Sequence, residues 1–270
     1  MQEKINATVA LIGAGSMGGA IARGLAVSGA VDADAVWATD VAESVLAPLA
    51  ALGIHTTTDI DELVAADTDV VIIAVKPQIL AQVVSPLAED LAGRLVVSIA
   101  AGVKIETLTT LLPASRVVRV MPNLPIQQLS GATAVAPSER ATAEDAELVR
   151  KIFAALGSAQ VMREDQLDAE GAVVSCGPAY IALFVDALTC AGVKAGLPAG
   201  ACREMVLATM GGVVKGLMES GEHPRAYMEK VTSPGGTTAA GLYAMEPLLE
   251  EAAYAAVEAA LVRTEELAKG

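Results

Sequence analysis

The sequence predicts an α/β protein in which a doubly wound, mostly parallel sheet is followed by an all-helical C-terminal domain. Three observations predict this fold. Short β-branched runs alternate with helical periods up to about residue 163. The run at residues 70–75 is continuously apolar, as expected of a strand buried on both faces of a parallel sheet. After about residue 165 long helical periods replace the strands.

The elements follow in order along the chain. Candidate strands lie at residues 8–12, 36–39, 70–75, 95–99, 117–120, 132–136 and 159–162. Helical periods at residues 17–28, 43–52 and 79–91 separate the early strands, and those of the second half lie at 177–195, 199–219 and 247–268. Gly and Pro clusters divide the later helices. We therefore predict two domains, residues 1–164 and residues 165–270.

Composition excludes several classes of protein. The 270 residues carry a net charge of −14, 53% are hydrophobic and the mean hydropathy is +0.51. An intrinsically disordered chain has low hydrophobicity, and nucleic-acid binders need basic surfaces and usually aromatic platforms, whereas aromatics are only 3% here. No uninterrupted apolar run reaches the roughly 18 residues of a spanning helix. We expect no nucleic-acid partner and no membrane association.

The terminus and the cysteines point to a reducing compartment. The first six residues lead directly into a strand-like run, without the charged and apolar regions of a secretory signal. The three cysteines, Cys176, Cys190 and Cys202, are odd in number and contain no C-x-x-C pair, which argues against a disulfide framework or a zinc site. We expect a cytoplasmic protein without a metal.

A glycine-rich turn follows the first strand. Gly13, Ala14, Gly15, Ser16, Met17 and Gly18 form G-x-G-x-x-G between a strand and a helix. Gly13 allows the tight turn, Gly15 lets a pyrophosphate approach the backbone, and Gly18 lets the helix pack against the strand. The helix N-terminus then offers free N–H groups to the phosphates. The turn predicts a dinucleotide site of the Rossmann type.

Three further strand ends lie at the same predicted edge of the sheet, where ligands of open α/β sheets bind. Lys76 could contact the cofactor ribose or phosphate, small residues could allow a nicotinamide ring close to the backbone, and Asn123 offers an amide donor and acceptor. The candidate cofactor residues at these ends are Ala74, Val75, Lys76, Pro77, Ile99, Ala100, Ala101 and Asn123.

A second glycine loop lies in the helical half, at residues 231–242. It is predicted to enter a helix at about Gly236 or Thr237. Exposed N–H groups of Gly235, Gly236 and Thr237, with nearby hydroxyls, could bind a small anion such as a carboxylate without an arginine. A capped helix start without a ligand is the other interpretation of this segment.

Together these segments resemble the pyrroline-5-carboxylate reductase family. The similar segments are residues 13–18, 74–78, 98–103, 119–125, 177–180, 191–198 and 231–242. The resemblance implies an NAD(P)H-binding Rossmann domain, an interlocked homodimer or higher homo-oligomer of dimers, and reduction of a cyclic imine to proline. It also implies that Ser233, Gly235, Gly236 and Thr237 hold the substrate carboxylate and that Thr238, the candidate catalytic residue, hydrogen-bonds the ring nitrogen.

The chain departs from that family at two places. Val174-Ser175-Cys176 stands where the family usually has S-G-S, and Leu124 stands where Thr is common. Two rival functions remain. A 3-hydroxyacid dehydrogenase-like enzyme also carries a similar glycine turn but needs a catalytic lysine, which residues 169–188 lack. A dinucleotide-binding sensor without catalysis is the alternative from another class.

The second strand predicts the choice of cofactor. It ends in Asp40, 22 residues after Gly18, where a carboxylate can accept hydrogen bonds from the adenosine ribose and would repel a 2′-phosphate. No Lys or Arg lies between Arg23 and Lys76. We therefore expect NADH to be preferred over NADPH. Asp40 could instead cap the helix that starts at Glu43.

Overall fold

The computed structural model describes residues 4–269, and the side chains of residues 4–266. Residues 1–3 and Gly270 lie outside the described residues. Residues 1–3 belong to the N-terminal segment in which the sequence predicts no secretory signal. The eight strands are β1 Val9–Ile12, β2 Val36–Thr39, β3 His55–Thr57, β4 Val70–Ile73, β5 Leu95–Ser98, β6 Arg116–Pro122, β7 Gly131–Pro137 and β8 Gly157–Val161. The helices are α1 Ser16–Ser28, α2 Glu43–Ala50, α3 Ile60–Ala65, α4 Pro77–Val84, α5 Ile105–Leu111, α6 Ala143–Ala154, α7 Leu167–Glu170, α8 Gly177–Lys194, α9 Ala199–Ser220, α10 Pro224–Lys230 and α11 Thr237–Lys269.

All eight strands form one sheet in the order β3-β2-β1-β4-β5-β6-β7-β8. Every neighbouring pair is parallel except β6 and β7, which are antiparallel. The strand order reverses between β1 and β4, which makes this the switch point of a doubly wound sheet. The mostly parallel sheet predicted from the sequence is confirmed.

The core lies on both faces of this sheet. Successive residues of β1 alternate between the two faces: Val9 and Leu11 belong to a cluster that includes Phe153 of α6, and Ala10 and Ile12 belong to the cluster beneath α3, α4 and α5. All four residues of β1 are buried. Burial on both faces explains why the central strands are continuous apolar runs rather than alternating ones.

The first strand and the first helix meet at a very close approach. A Cβ placed on Gly18 would lie 2.0 Å from the carbonyl oxygen of Gly13 and 2.9 Å from the Cβ of Ala74. Gly13 itself has φ of +99°, which a residue with a side chain rarely adopts. Gly15 differs, because a Cβ placed there would have no atom within 4 Å of it. Two glycines therefore serve packing, while Gly15 leaves open space.

Contacts within the chain define two compact units. One contains the sheet and extends to Ser175, with the residues from Arg263 onward, and the other is Cys176–Val262. The prediction of a functional domain division at residues 164 and 165 stays a prediction. The segment between that point and Ser175 contains α7 followed by a single π-helical turn, Gly171–Ser175.

The second unit has almost no core of its own. Among residues 176–262 only Thr189 and Cys202 are buried. Large apolar side chains along α8 and α9 are exposed instead, such as Leu183 at 68% and Met218 at 78%. A groove of about 550 Å³ between these two helices is lined mainly by apolar residues. Helices with so much exposed apolar surface need a further surface to cover them.

One helical stretch of the described residues, Glu164–Lys194, is long and apolar enough to cross a membrane by length and composition alone. Its most apolar window has a hydropathy of 1.6, and 6% of that window is buried. The sequence prediction rested on uninterrupted apolar runs, and Asp186 interrupts the apolar run within this stretch. A single stretch of this kind is weak support for a membrane span, because a helix that packs against other protein has the same composition.

The structure also corrects several predicted bounds. The sequence did not predict the strand β3 or the helices α3, α5, α6, α7 and α10. The helix predicted at 247–268 begins at Thr237 and continues through Pro247, so the proline that was taken as its start lies inside it. The helix predicted at 79–91 ends as α4 at Val84 and continues only as a 3₁₀ turn, Ser85–Leu87. The shorter of these elements carry too few periods to be recognised from sequence. Helix α6 has 12 residues, and the capping box of Thr142 and Asp145 was the signal that could have identified it.

Alanine substitutions at two glycines of the first turn should differ sharply. In Gly18→Ala the new methyl group meets a backbone oxygen that cannot move away, so we expect a loss of about 3 kcal/mol in the free energy of unfolding. Gly15→Ala adds its methyl group to open space and should change stability by less than about 0.5 kcal/mol. Urea unfolding of both variants measures the difference, and equal stability losses would contradict the packing argument.

Candidate cofactor and substrate sites

The parallel register places the predicted cofactor residues of the sheet unit at one edge. Ile12 of β1 pairs with Ile73 of β4, and Ile73 pairs with Ser98 of β5. The turn at Gly13, the turn at Ala74 and the loop at Ile99 therefore follow neighbouring strands at their carboxyl ends. The geometry brings these three segments together next to the switch point, as the sequence predicted.

The N-terminus of α1 can accept an anion. Gly15 is the N-cap residue and supplies no side-chain hydrogen bond, so the first N–H groups of the 13-residue helix are not capped by a side chain. Beside the turn lies a cavity of about 460 Å³ whose lining includes Gly15, Ser16 and Gln127. The uncapped amides and the open space at Gly15 fit a pyrophosphate group.

Asp40 is already tied to the glycine-rich turn. Its Oδ2 accepts a hydrogen bond from the N–H of Ala14 at 2.9 Å, and its Oδ1 accepts one from the N–H of Ala42 at 3.1 Å. Ala42, not Asp40, is the N-cap residue of α2, and no side chain caps that helix. Each carboxylate oxygen keeps a further lone pair. Asp40 thus fixes the turn and leaves acceptor capacity at the edge of the sheet.

Lys76 and Asn123 are placed differently from each other. Lys76 is exposed and is the N-cap residue of α4, and no ion pair forms on it within the described part of the chain. Asn123 is 7% exposed, and its amide is engaged: Oδ1 accepts from the N–H of Ala132 at 2.8 Å and Nδ2 donates to the carbonyl of Val174 at 3.2 Å. A cofactor contact by the Asn123 amide stays a prediction, with one N–H remaining for it.

A buried ion-pair cluster centres on Arg119 of β6 and was missed from the sequence. Arg119 is 2% exposed; its Nη1 lies 3.1 Å from Glu164 Oε1 and its Nη2 lies 3.6 Å from Asp168 Oδ1. Glu164 Oε1 also accepts from the N–H of Ile105 at 2.6 Å. The cluster attaches the segment of residues 164–168 to β6. A charged residue inside an apolar strand was the signal that could have identified it.

The second glycine loop has the expected form within its own unit. Helix α11 begins at Thr237, and the side chains of Ser233, Thr237 and Thr238 are exposed. The N–H groups of residues 237–239 donate to no backbone carbonyl among the described residues. This agrees with the predicted entry into a helix at Gly236 or Thr237, and the free N–H groups suit a small anion.

The N–H of Gly236 is not free, which differs from the expectation. It donates to the carbonyl of Ser233 at 3.0 Å and closes the turn. Gly236 still depends on having no side chain, because a Cβ there would lie 2.4 Å from Ser233 Oγ. Gly235 has φ of +70°, so it too suits the turn. Both glycines therefore shape the loop.

The start of α8 carries the unusual residues. Cys176 is exposed and is the N-cap residue of this 18-residue helix. Burial, and then the neighbouring Cys176 thiol, raise the pKa of the Tyr180 hydroxyl. That hydroxyl therefore keeps its proton at neutral pH. Among the residues described, no group of three or more His, Cys, Asp or Glu side chains could hold a metal ion.

Two family models match the chain. Residues 164–267 match the pyrroline-5-carboxylate reductase dimerisation family, and residues 8–102 match the NADP oxidoreductase coenzyme F420-dependent family. The first match covers the helices that follow the sheet, and the second covers the part of the sheet unit that contains the glycine-rich turn. A dimerisation family agrees with helices that lack a core of their own.

Relatives and solved structures match nearly the whole length. The pyrroline-5-carboxylate reductase of Methanosarcina acetivorans is 37% identical over 98% of this chain and 99% of the relative, and pyrroline-5-carboxylate reductase 3 of Mus musculus is 37% identical over 97% and 96%. A pyrroline-5-carboxylate reductase structure from Coxiella burnetii has a TM-score of 0.93 at 32% identity, covering 98% of this chain and 99% of that one. The Plasmodium falciparum pyrroline carboxylate reductase with NADP bound has a TM-score of 0.84 at 28% identity, covering 98% and 99%. The chain belongs to the pyrroline-5-carboxylate reductase family.

Proposed function

We propose that this protein reduces 1-pyrroline-5-carboxylate to L-proline with NAD(P)H, the last step of proline biosynthesis. The observation that carries the proposal is the pair of glycine sites on one chain. The first is the uncapped N-terminus of α1 at the switch point, and the second is the Ser-Pro-Gly-Gly-Thr-Thr loop that opens α11. One suits a pyrophosphate and the other a small carboxylate. Family membership over the full length supports both assignments.

In this proposal residues 1–164 bind the dinucleotide and residues 165–270 bind the substrate and form the dimer. The pyrophosphate lies against residues 13–18, with Gly15 leaving room for it. Residues 74–77, 99–101 and Asn123 lie along the rest of the cofactor. The nicotinamide supplies a hydride for C5 of the imine. The protein holds donor and acceptor in position and excludes water.

Ser233, Gly235 and Thr237 hold the substrate carboxylate, and Gly236 shapes the loop, because its N–H closes the turn onto Ser233. The charge of the carboxylate is met by backbone N–H groups at the start of the 33-residue helix α11 rather than by an arginine. Thr238 hydrogen-bonds the ring nitrogen and orients it. The C=N bond becomes a C–N bond as the hydride adds to carbon, and the nitrogen carries the proton already present on the imine or takes one from water.

The direct test is oxidation of NADH by the purified protein in the presence of chemically prepared pyrroline-5-carboxylate, followed at 340 nm. Formation of proline should match NADH consumed. Tight cofactor binding without turnover would instead support the non-catalytic sensor. We also propose that the enzyme acts in the cytoplasm and needs neither a membrane nor a nucleic acid.

The protein forms a homo-oligomer, and we propose a homodimer or an assembly built from dimers. The match of residues 164–267 to a dimerisation family and the exposed apolar side chains of α8 and α9 point to the same surface. A second copy of the chain supplies the missing apolar partner for these helices. Covering them also removes exposed apolar surface that would otherwise promote aggregation.

Light scattering coupled to size-exclusion chromatography should therefore show no monomer at micromolar concentration. Replacing Leu183 and Met218, both on the exposed apolar face, with Asp should produce monomers or unfolded protein. Exchanging the exposed Val41, which is 95% exposed on the sheet unit, for Asp is the matched control and should leave the assembly intact. A monodisperse monomer of the unmodified protein would refute the proposal.

Removal of the Thr238 hydroxyl should slow the reaction selectively. Thr238→Val keeps the shape of the side chain and loses one hydrogen bond to the ring nitrogen, so kcat/KM should fall by about 1–3 kcal/mol, or roughly 5- to 150-fold. Cofactor binding and stability should not change. Thr209→Val is the control, because among the described residues that hydroxyl donates to the carbonyl of Met205 within α9 and has no role in the proposed site. An unchanged kcat/KM in Thr238→Val removes this residue from the mechanism.

Preference for NADH over NADPH follows from Asp40. Its carboxylate is held by the N–H groups of Ala14 and Ala42, so it cannot turn away from a bound adenosine without breaking both hydrogen bonds. A 2′-phosphate beside it would be repelled. Glu43 adds negative charge at the start of α2. Lys76, which follows β4 at the same edge of the sheet, is a cation that could offset these charges.

We expect kcat/KM to be at least about tenfold higher with NADH than with NADPH, which corresponds to about 1.4 kcal/mol. Asp40→Ser should narrow the gap, mainly by improving NADPH. Since this change also removes the bond to Ala14, its unfolding free energy must be measured alongside. Kinetics with both cofactors decide the matter, and a clear NADPH preference of the unmodified enzyme would contradict the assignment of Asp40 to the ribose.

A further inference from the structure

Glu170 carries a carboxyl group that the mechanism does not use, and one of its two oxygens has no partner among the described residues. It is the last residue of α7, immediately before the π turn Gly171–Ser175. Its Oε1 is buried and has no hydrogen-bond partner among the described residues. Its Oε2 faces the hydroxyl of Ser175 at 3.4 Å, across the π turn. The two ends of the turn therefore meet through one weak contact.

The charges around Glu170 are already paired with one another. Arg119 of β6 pairs with Glu164 and Asp168, and Arg116 of the same strand pairs with Asp145. Asp165 pairs with Arg163, and β7 contains no charged residue. Gly171 instead faces the methyl group of Met121. Lys104 is the N-cap of α5, whose Ile105 packs in the same apolar cluster as Leu167 of α7, and it forms no ion pair with Glu170. Among the described residues, no cation therefore pairs with the Glu170 carboxylate.

Burial accordingly raises the pKa of Glu170 from 4.5 to about 7, and the Ser175 hydroxyl partly opposes the shift. The turn it spans is a single π turn, a helix defect that is found frequently at functional sites. The preceding segment is attached to β6 by Arg119, and Val174 is attached to Asn123. The turn then runs directly into Cys176, the N-cap of α8.

We propose that Glu170 is a titratable positioning residue: the closed π turn buries an unpartnered oxygen of its carboxyl and so favours the neutral form, and ionisation favours a looser turn in which water reaches the carboxylate. Loosening of the turn would move the residues that follow it, Cys176 and the start of α8. This movement would change the activity of the proposed enzyme. The effect on activity rests on the proposed function, whereas the effect on the turn does not.

The sign of the pH dependence follows from linkage. In the closed turn the Glu170 carboxyl has a pKa of about 7, whereas in an open, hydrated turn its pKa is the ordinary 4.5. Opening is therefore favoured progressively as pH rises between these two values, by at most about tenfold per pH unit, and it levels off above about pH 7. Below pH 4.5 the carboxyl is neutral in both forms and exerts no effect.

Hydrogen exchange of the amides of residues 171–176 at pH 5, 6, 7 and 8 tests this in the full-length protein, with rates corrected for intrinsic exchange. Protection should fall from pH 5 to 7 in the unmodified protein and stay constant in Glu170→Gln, which cannot ionise. Ser175→Ala removes the contact that lowers the pKa, so its plateau should begin at a higher pH. Glu139→Gln, at an exposed glutamate, should behave as the unmodified protein.

Equal pH dependence in Glu170→Gln and the unmodified protein would overturn the proposal, as would protection that does not change with pH in the unmodified protein. The second result needs no variant and so stands even if Glu170→Gln fails to fold.

In the activity assay the ratio of kcat/KM between unmodified enzyme and Glu170→Gln should fall between pH 5 and 7. Titration of the imine cancels in this ratio. Absence of imine reduction would reject the proposed function while leaving the exchange result intact.

Discussion

The contact between Gly18 and Gly13 is the constraint on which the cofactor edge depends. Because a Cβ on Gly18 would lie 2.0 Å from a backbone oxygen, the helix axis of α1 can approach β1 only with glycine there. This approach fixes where the free N–H groups of α1 point. The bond from the N–H of Ala14 to Asp40 then holds the same turn from β2. Adjacent strands thus fix the turn before any ligand binds, and little ordering is left to be done on binding.

The helical unit depends on a different source of stability. The sheet unit buries continuous apolar strands on both faces, whereas residues 176–262 bury only Thr189 and Cys202. Helices alone are marginal without tertiary packing, so α8 and α9 need a partner to supply it. Assembly and folding are then linked in this part of the chain, and its stability depends on protein concentration. The glycine loop at the start of α11, for which we propose the substrate carboxylate, belongs to this same unit.

Much of the fold and part of the site could be predicted from the sequence. The strands β4 and β5 lie in continuous apolar runs, β2 is a four-residue run rich in apolar residues, and the glycine turn has a strict spacing, so all of them were recognised. The strand β3 has only three residues and pairs at the edge, where neither apolar pattern nor length identifies it. Pro247 was taken for a helix start because proline is common there, yet it lies inside α11. The partners of Arg119 lie 45 and more residues away in sequence, so spacing could not indicate them.

Sequence reasoning also could not identify which polar groups lack partners. Gly236 and Asn123 were both predicted to offer groups to a ligand, but the chain uses the Gly236 N–H to close its own turn and most of the Asn123 amide to hold β7 and Val174. Glu170 is the reverse case, since a glutamate that no sequence pattern singles out has a buried oxygen with no partner described. Polar groups with and without partners can be distinguished only when the hydrogen bonds between segments distant in sequence are known. A polar group whose hydrogen-bond partners all belong to the chain stabilises the shape of the site. A polar group without such a partner remains able to bind a ligand or to take up and release a proton.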